Sequence, residues 1–220
     1  RLPKAGGAEL LDDGVYSLII RNRWYAAKPE LRWLREKVRP YLTEKRARHV
    51  AGCEEQAVKL AKRWGADVYE AAEAGILHDI TKKLSDEEQL IMCDKYGIIL
   101  DAAERRNPRI LHARTGAALA RELFGIPDGI YSAIRWHTTG KPDMSLMEKI
   151  IYLADFTEPT RDFEGVEPLR KLCFEDIDRA MELGLRMSLE EIRSRGEDAY
   201  RDTVDAYLWY KKEQGGSATC

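Results

Sequence analysis

Four histidines stand among the 220 residues, at positions 49, 78, 112 and 137, and one is followed directly by an aspartate, in LHDITKKL over 77–84. Each belongs to a different helical stretch: His49 follows the basic turn RAR, His78 closes AAEAGIL, His112 opens ILHARTGA, and His137 ends IYSAIRW. A fifth residue with similar capacity is Asp155 in EKIIYLADF, where Ile150, Ile151 and Ala154 make an apolar helix side and the carboxylate falls at its edge. Burying a carboxylate there is costly unless a cation or hydrogen bonds compensate it. Neutral imidazole and carboxylate oxygen together suit Fe, Mn, Co and Zn. Two such ions sharing one carboxylate can clamp a phosphate and lower the pKa of a bound water toward neutrality. Asp79, next to His78, is placed to be the shared group.

Taken one at a time, the same residues have plainer readings. A single histidine near a helix end is usually solvated or caps the helix. Asp155 alone could pair with a Lys or Arg, Lys82 and Lys83 read as solvated, and Cys53, one turn after His49, reads as packing.

The elements that must position this set are helices. Residues 44–64 place Val50, Cys53, Ala57, Leu60, Ala61 and Trp64 at helical spacing, with Gly65 as the stop. Asp67 with Glu70 starts the next helix, which reaches His78, and Ser85 with Glu88 reads as a capping box for a helix that Gly97 ends. Asn107-Pro108 breaks the chain before a helix over about 109–124, and Pro127-Asp128 starts one reaching His137. Ser145 with Glu148, and Ser188 with Glu191, read as two further capping boxes. Only VYSLIIR (15–21) and GIIL (97–100) have strand character. The pattern predicts an all-α bundle with its site in the core.

Bulk properties exclude several alternatives. Hydrophobic residues make up 44% and charged residues 34%, ordinary for a soluble globular chain long enough to bury a core. The net charge of −2 and pI near 6.2 offer no basic field for nucleic acid. No apolar run is long enough to span a bilayer, so no membrane role is expected. The four cysteines form no CxxC, which argues against a disulfide framework or zinc knuckle and for a reduced, cytoplasmic setting. Residues 1–40 carry two of the five tryptophans, several arginines and no histidine, so a boundary is expected near Pro40. The domain proper then runs over 41–212, and 213–220, ending GGSATC, reads as a flexible tail.

RHVAGC, GILHDITKK, ILHARTGAALA, WHTTG and IIYLADFTEPTR follow one another in an order that resembles the HD-domain metal-dependent phosphohydrolases. Within that group they resemble the YqeK family of symmetrical diadenosine tetraphosphate hydrolases. The resemblance covers about 41–210, and all four histidines fall on its motif positions. It implies metal ligation by His49, His78, Asp79 and Asp155, with iron first and Mn, Co, Zn or Mg as alternatives. His112 and His137 match positions that hold a second metal in related enzymes. Nucleotide contact is implied for Gly52, Asp79, His112, His137, Thr138, Asp155 and Arg161, and a catalytic part for Asp79, Lys82, His112 and His137. Near the C terminus the family's His-Pro-x-Thr stretch reads YRDTVDA here, so Asp202 and Thr203 keep only part of that pattern.

Residues 8–40 resemble the linker in chains where a nicotinate-nucleotide adenylyltransferase precedes the HD domain, although that enzyme's own GxFDPxHxGH-type motif is absent. The resemblance therefore implies a cytoplasmic hydrolase that splits diadenosine tetraphosphate into two ADP, with an upstream adenylyltransferase domain and a homodimer among its expected associations. Two rivals share the same residues: a phosphohydrolase for another nucleotide or a cyclic dinucleotide, and a nucleotide-sensing helical module without turnover.

Overall fold

In a computed structural model, residues 7–216 are described, and every regular element among them is helical. The helices are α1 Gly7–Leu10, α2 Asp13–Arg21, α3 Leu31–Val38, α4 Glu44–Trp64, α5 Val68–Leu77, α6 Asp86–Lys95 and α7 Ala102–Arg106. They continue with α8 Leu111–Phe124, α9 Asp128–Trp136, α10 Leu146–Thr157, α11 Val166–Glu175, α12 Ile177–Ser194 and α13 Arg201–Gly216. Local chemistry sets many of the ends. Thr43 caps α4 by accepting from the Arg46 backbone N–H, and Gly65 stops it in the left-handed region at φ +75°. Ser85/Glu88 and Ser145/Glu148 form complete capping boxes on α6 and α10.

The site-bearing centre is the packing of α4 against α5 and α10, with α8 and α9 closing the other side. Close approach of α4 and α5 depends on Gly75, where an added Cβ would lie 2.8 Å from the Glu54 Cα. Leu60, Ile76, Leu77, Ile134, Ile150 and Ile151 are fully buried in one continuous core. Burying side chains of this size contributes roughly 1.5–3 kcal/mol each.

Three sequence expectations change. Residues 15–21 lie in helix α2 rather than a strand: Asp12 caps it, and Tyr16 and Ile20, four apart, bury the same face. Residues 97–100 form no strand, because Gly97 turns at φ +64° and the chain stays irregular to Asp101. Ser188 and Glu191 do not cap anything, since they lie inside α12, which begins at the Asp176 cap. In the tail, Gly215 and Gly216 still belong to α13, while 217–220, including Cys220, lie outside the described residues.

Residues 13–42 share the core of the rest: Tyr16, Ile20, Trp33, Leu34 and Val38 pack in the same cluster as α4, α5 and α8. Arg23 ties this segment down, pairing with the buried Glu73 and donating through Nε to the Phe124 and Gly125 carbonyls. Cys53, Cys93 and Cys173 are buried free thiols. Among the described residues no helix is long and apolar enough to cross a membrane.

Candidate metal centre

Each histidine ring is held by its Nδ1. His78 bonds the Gly75 carbonyl, His112 the Arg109 carbonyl and His137 the Ile134 carbonyl, each at 2.7 Å and three residues back at a helix end. His49, inside α4, has no free carbonyl to use, and its Nδ1 lies 3.1 Å from Glu158 Oε1. With Nδ1–H donating in each case, all four Nε2 atoms carry lone pairs, and these converge. His49 Nε2 and His78 Nε2 are 3.2 Å apart, as are His112 Nε2 and His137 Nε2.

Asp79 stands between the two pairs. Its Oδ2 is 3.6 Å from His49 Nε2 and 3.5 Å from His78 Nε2, while its Oδ1 is 3.4 Å from His112 Nε2 and 3.7 Å from His137 Nε2. Asp155 Oδ1 completes the first group at 2.9 Å from His49 Nε2 and 3.8 Å from His78 Nε2. Ions hold nitrogen and oxygen ligands at about 2.0–2.2 Å, which sets neighbouring ligand atoms roughly 3 Å apart. His49, His78 and Asp79 form one group with metal-binding spacing, and Asp79, His112 and His137 form a second. All five of these side chains are buried, so lone pairs and carboxylate charge face one another with little water to screen them. A divalent cation fits that donor set.

Without a metal the charges of the centre divide: against burial, Cys53 and Asp79 hold His78 well above its ordinary value, so a metal there displaces a proton, while the other shifts favour the ligand forms. Burial pushes the Asp79 carboxyl upward, but His78, His137 and His112 outweigh it and hold it well below the usual carboxylate range. Asp155 is likewise held low against burial by His49, Arg161 and His78. Burial and the Lys82 ammonium keep His112 well below its ordinary value, which preserves a neutral ligand. Lys82 is itself lowered by burial, against the pull of Asp79 and Asp155.

A cavity of about 530 Å³ opens beside the second group, lined among others by Lys82, His112, His137, Thr138, Asp155 and Arg161. Lys82 Nζ lies 3.3 Å and Thr138 Oγ1 3.2 Å from His112 Nε2. Glu158 ends α10 and Pro159 turns the chain, which brings Arg161 back onto Asp155: Nε donates to its carbonyl at 2.9 Å and Nη2 to Oδ1 at 2.8 Å. Thr203 is buried in the same cavity wall. Two further expected contacts sit elsewhere. Gly52 is buried behind His49, so tightly under Glu158 that any Cβ would collide with that carboxylate. Asp202 faces a separate cavity of about 710 Å³, 4.0 Å from Arg114.

Two residues join the site to which the motif reading assigns no role there, Glu158 within IIYLADFTEPTR and Arg46 in the turn before His49. Glu158 is fully buried and is also bonded by the Thr160 N–H at 2.7 Å and by its hydroxyl. Arg46 donates through Nη1 to Asp79 Oδ2 at 2.7 Å. The basic turn before His49 was the only hint of the second.

The sequence profile of HD domains matches residues 46–160, a span holding every ligand of both groups. The chain belongs to the HD-domain family. Its HD domain has a relative in Bacillus subtilis, named symmetrical bis(5'-nucleosyl)-tetraphosphatase, at 38% identity over 78% of this chain and 92% of the relative. A Mycoplasma pneumoniae protein named probable nicotinate-nucleotide adenylyltransferase/Ap4A hydrolase is 28% identical over 70% of this chain but only 46% of its own length. Among solved structures, an HD superfamily hydrolase from Clostridium acetobutylicum, described as involved in NAD metabolism, superposes with a TM-score of 0.81 at 34% identity. That match covers 85% of this chain and all of the other.

Proposed function

We propose that this HD domain hydrolyses diadenosine tetraphosphate symmetrically to two ADP. The observation that carries the chemistry is Asp79, whose two oxygens face two separate histidine pairs. The named activity of the Bacillus relative, aligned over nearly its whole length, supports the substrate. His49, His78, Asp79 and Asp155 would hold one divalent metal, and Asp79, His112 and His137 a second. The mixed imidazole and carboxylate set admits Fe, Mn, Co or Zn, and the resemblance of its motifs to the tetraphosphatase family favours iron among them. Bound there, the metal supplies Lewis acidity to the phosphate and lowers the pKa of the attacking water.

The chain's own residues then position the polyphosphate. Arg161, with Nε and Nη2 bonded to Asp155, turns its remaining guanidinium donors to phosphate oxygens, and Lys82 and Thr138 add donors from the same wall. Water adds its oxygen to one central phosphorus, the central P–O–P bond breaks, and the bridging oxygen leaves on the second ADP. Residues 8–40 are read as the junction to an upstream adenylyltransferase domain, which the double name of the longer Mycoplasma relative supports.

Product analysis tests the activity. Metal-loaded protein given diadenosine tetraphosphate should release ADP alone; AMP with ATP, or no turnover, would overturn the reading. Elemental analysis of freshly purified protein tests iron.

A further inference from the structure

Thr81, Gln89 and Thr115 form a buried polar cluster that the functional reading leaves unused, none of them more than 3% exposed. Gln89 reaches from α6 to donate through Nε2 to the Thr81 carbonyl at 2.7 Å, and its Oε1 accepts from the Thr115 hydroxyl at 2.6 Å. That spends the one hydrogen of Thr115. The hydrogen on Thr81 is left for the His112 carbonyl at 2.9 Å and for Thr115 Oγ1, also at 2.9 Å. The three side chains thus satisfy one another and the backbone around them, which burial requires of polar groups.

The place of this cluster ties it to one half of the metal centre. Thr81 sits two residues after Asp79 and one before Lys82, in the turn that carries the shared carboxylate. His112, whose carbonyl it bonds, faces Asp79 Oδ1 through Nε2 at 3.4 Å. His112, Thr115 and Gly116 share a face of α8 by their spacing. That face lies close on the turn, since a Cβ at Gly116 would stand 3.3 Å from Thr81 Oγ1 and 3.4 Å from the His78 carbonyl oxygen. His112 is therefore held twice, its ring by the Arg109 carbonyl and its backbone by Thr81. Among the described residues no side-chain hydrogen bond of the cluster reaches His49, His78 or Asp155. We infer that Thr81 is a positioning residue for the second ligand group: it sets His112 against Asp79 Oδ1, and with it the affinity of the metal that Asp79, His112 and His137 would hold. This rests on the two-metal reading above.

The plainer alternative is that the cluster only ties α6 to α8. Calorimetric titration of metal-free protein with manganese separates the two, and the equivalent that His112→Ala loses identifies the second group. Thr81→Val keeps the shape and removes the hydroxyl, so it should weaken that equivalent about 10- to 100-fold and leave the other unchanged. Thr81→Ser keeps the hydroxyl and should bind both equivalents as the wild type does. Gln89→Leu takes the donor from the Thr81 carbonyl and should shift the same equivalent in the same direction, which carries the test if Thr81→Val does not fold. Equal weakening of both equivalents, or of neither, overturns the inference. So does a Thr81→Ser protein as weak as Thr81→Val, which would assign the effect to packing. Wild-type protein that binds fewer than two manganese ions overturns the two-metal reading first, and this inference with it, while product analysis with diadenosine tetraphosphate reports on the hydrolase reading separately.

Discussion

Glu158 Oε1 lies 3.1 Å from His49 Nδ1, which makes a carboxylate–imidazole pair behind the first ligand group. Such a pair fixes the ring and raises the basicity of the nitrogen facing the metal. Glu158→Gln keeps the shape and removes the charge, so metal affinity should drop about 10- to 100-fold with the fold retained. Gly52→Ala should act in the same direction, since its Cβ would displace that carboxylate. Competition with a chelator of known affinity reads both; wild-type affinity in Glu158→Gln would reduce this glutamate to a cap on the 158–161 turn.

The shared carboxylate gives a stoichiometric prediction. Asp79→Ala should remove metal from both groups and abolish turnover, because it takes one ligand from each. His112→Ala should remove metal only from the group it belongs to and leave His49, His78 and Asp155 occupied. Elemental analysis beside circular dichroism checks both. Equal metal loss in the two variants would argue against separate groups.

Arg161 forks onto Asp155 through its carbonyl and Oδ1 while facing the cavity. Arg161→Ala should weaken ADP binding by about 1.5–3 kcal/mol, the scale of hydrogen bonds to a charged group. Arg161→Lys should restore only part. Calorimetry at fixed metal loading reads the effect, and wild-type ADP affinity in Arg161→Ala would return this side chain to a purely structural pairing.

Glu73 makes a prediction about stability and pH. Burial pushes its carboxyl up, and Arg23 pulls it partly back. A group whose folded pKa is raised favours the folded state most when protonated, and that stability is lost as pH rises through the folded value. Arg23→Ala removes the pull and leaves a buried charge unpaired, so it should cost on the order of 3 kcal/mol near neutral pH. The deficit should shrink as pH falls toward the carboxyl range. Urea unfolding at pH 5 and pH 8 tests this; a pH-independent deficit would place the cost in the lost carbonyl bonds of Arg23 instead.

The sequence made some of these relationships visible and hid others, for physical reasons. Ser85/Glu88 and Ser145/Glu148 read as caps and are caps, because a break precedes each. Ser188/Glu191 has the same spacing and caps nothing, since α12 passes through without a break. VYSLIIR looked extended because β-branched and aromatic residues suit strands, but the Asp12 cap and the burial of Tyr16 and Ile20 on one face overrode that preference. The ligand histidines stood out because the chain has only four. Glu158 and Arg46 were assigned no role, because a motif position such as the Glu of IIYLADFTEPTR, or one of 36 basic residues, does not say which side chain it touches. Their roles come from the chain reversal at Pro159 and from the face α4 turns toward Asp79.

The sharing of Asp79 also fixes a charge balance. If both groups hold a divalent ion, the directly facing carboxylates Asp79 and Asp155, with Glu158 behind His49, supply three negative charges against four on the metals and those of Arg46, Arg161 and Lys82. A surplus of positive charge in a buried pocket is unstable on its own and finds its counterion in a polyphosphate. Metal and nucleotide are then linked ligands: whatever factor one gains in affinity from the other, the other gains in return. ADP should therefore slow the loss of metal to a chelator, and most strongly the metal that depends on Asp79 shared with the opposite histidine pair.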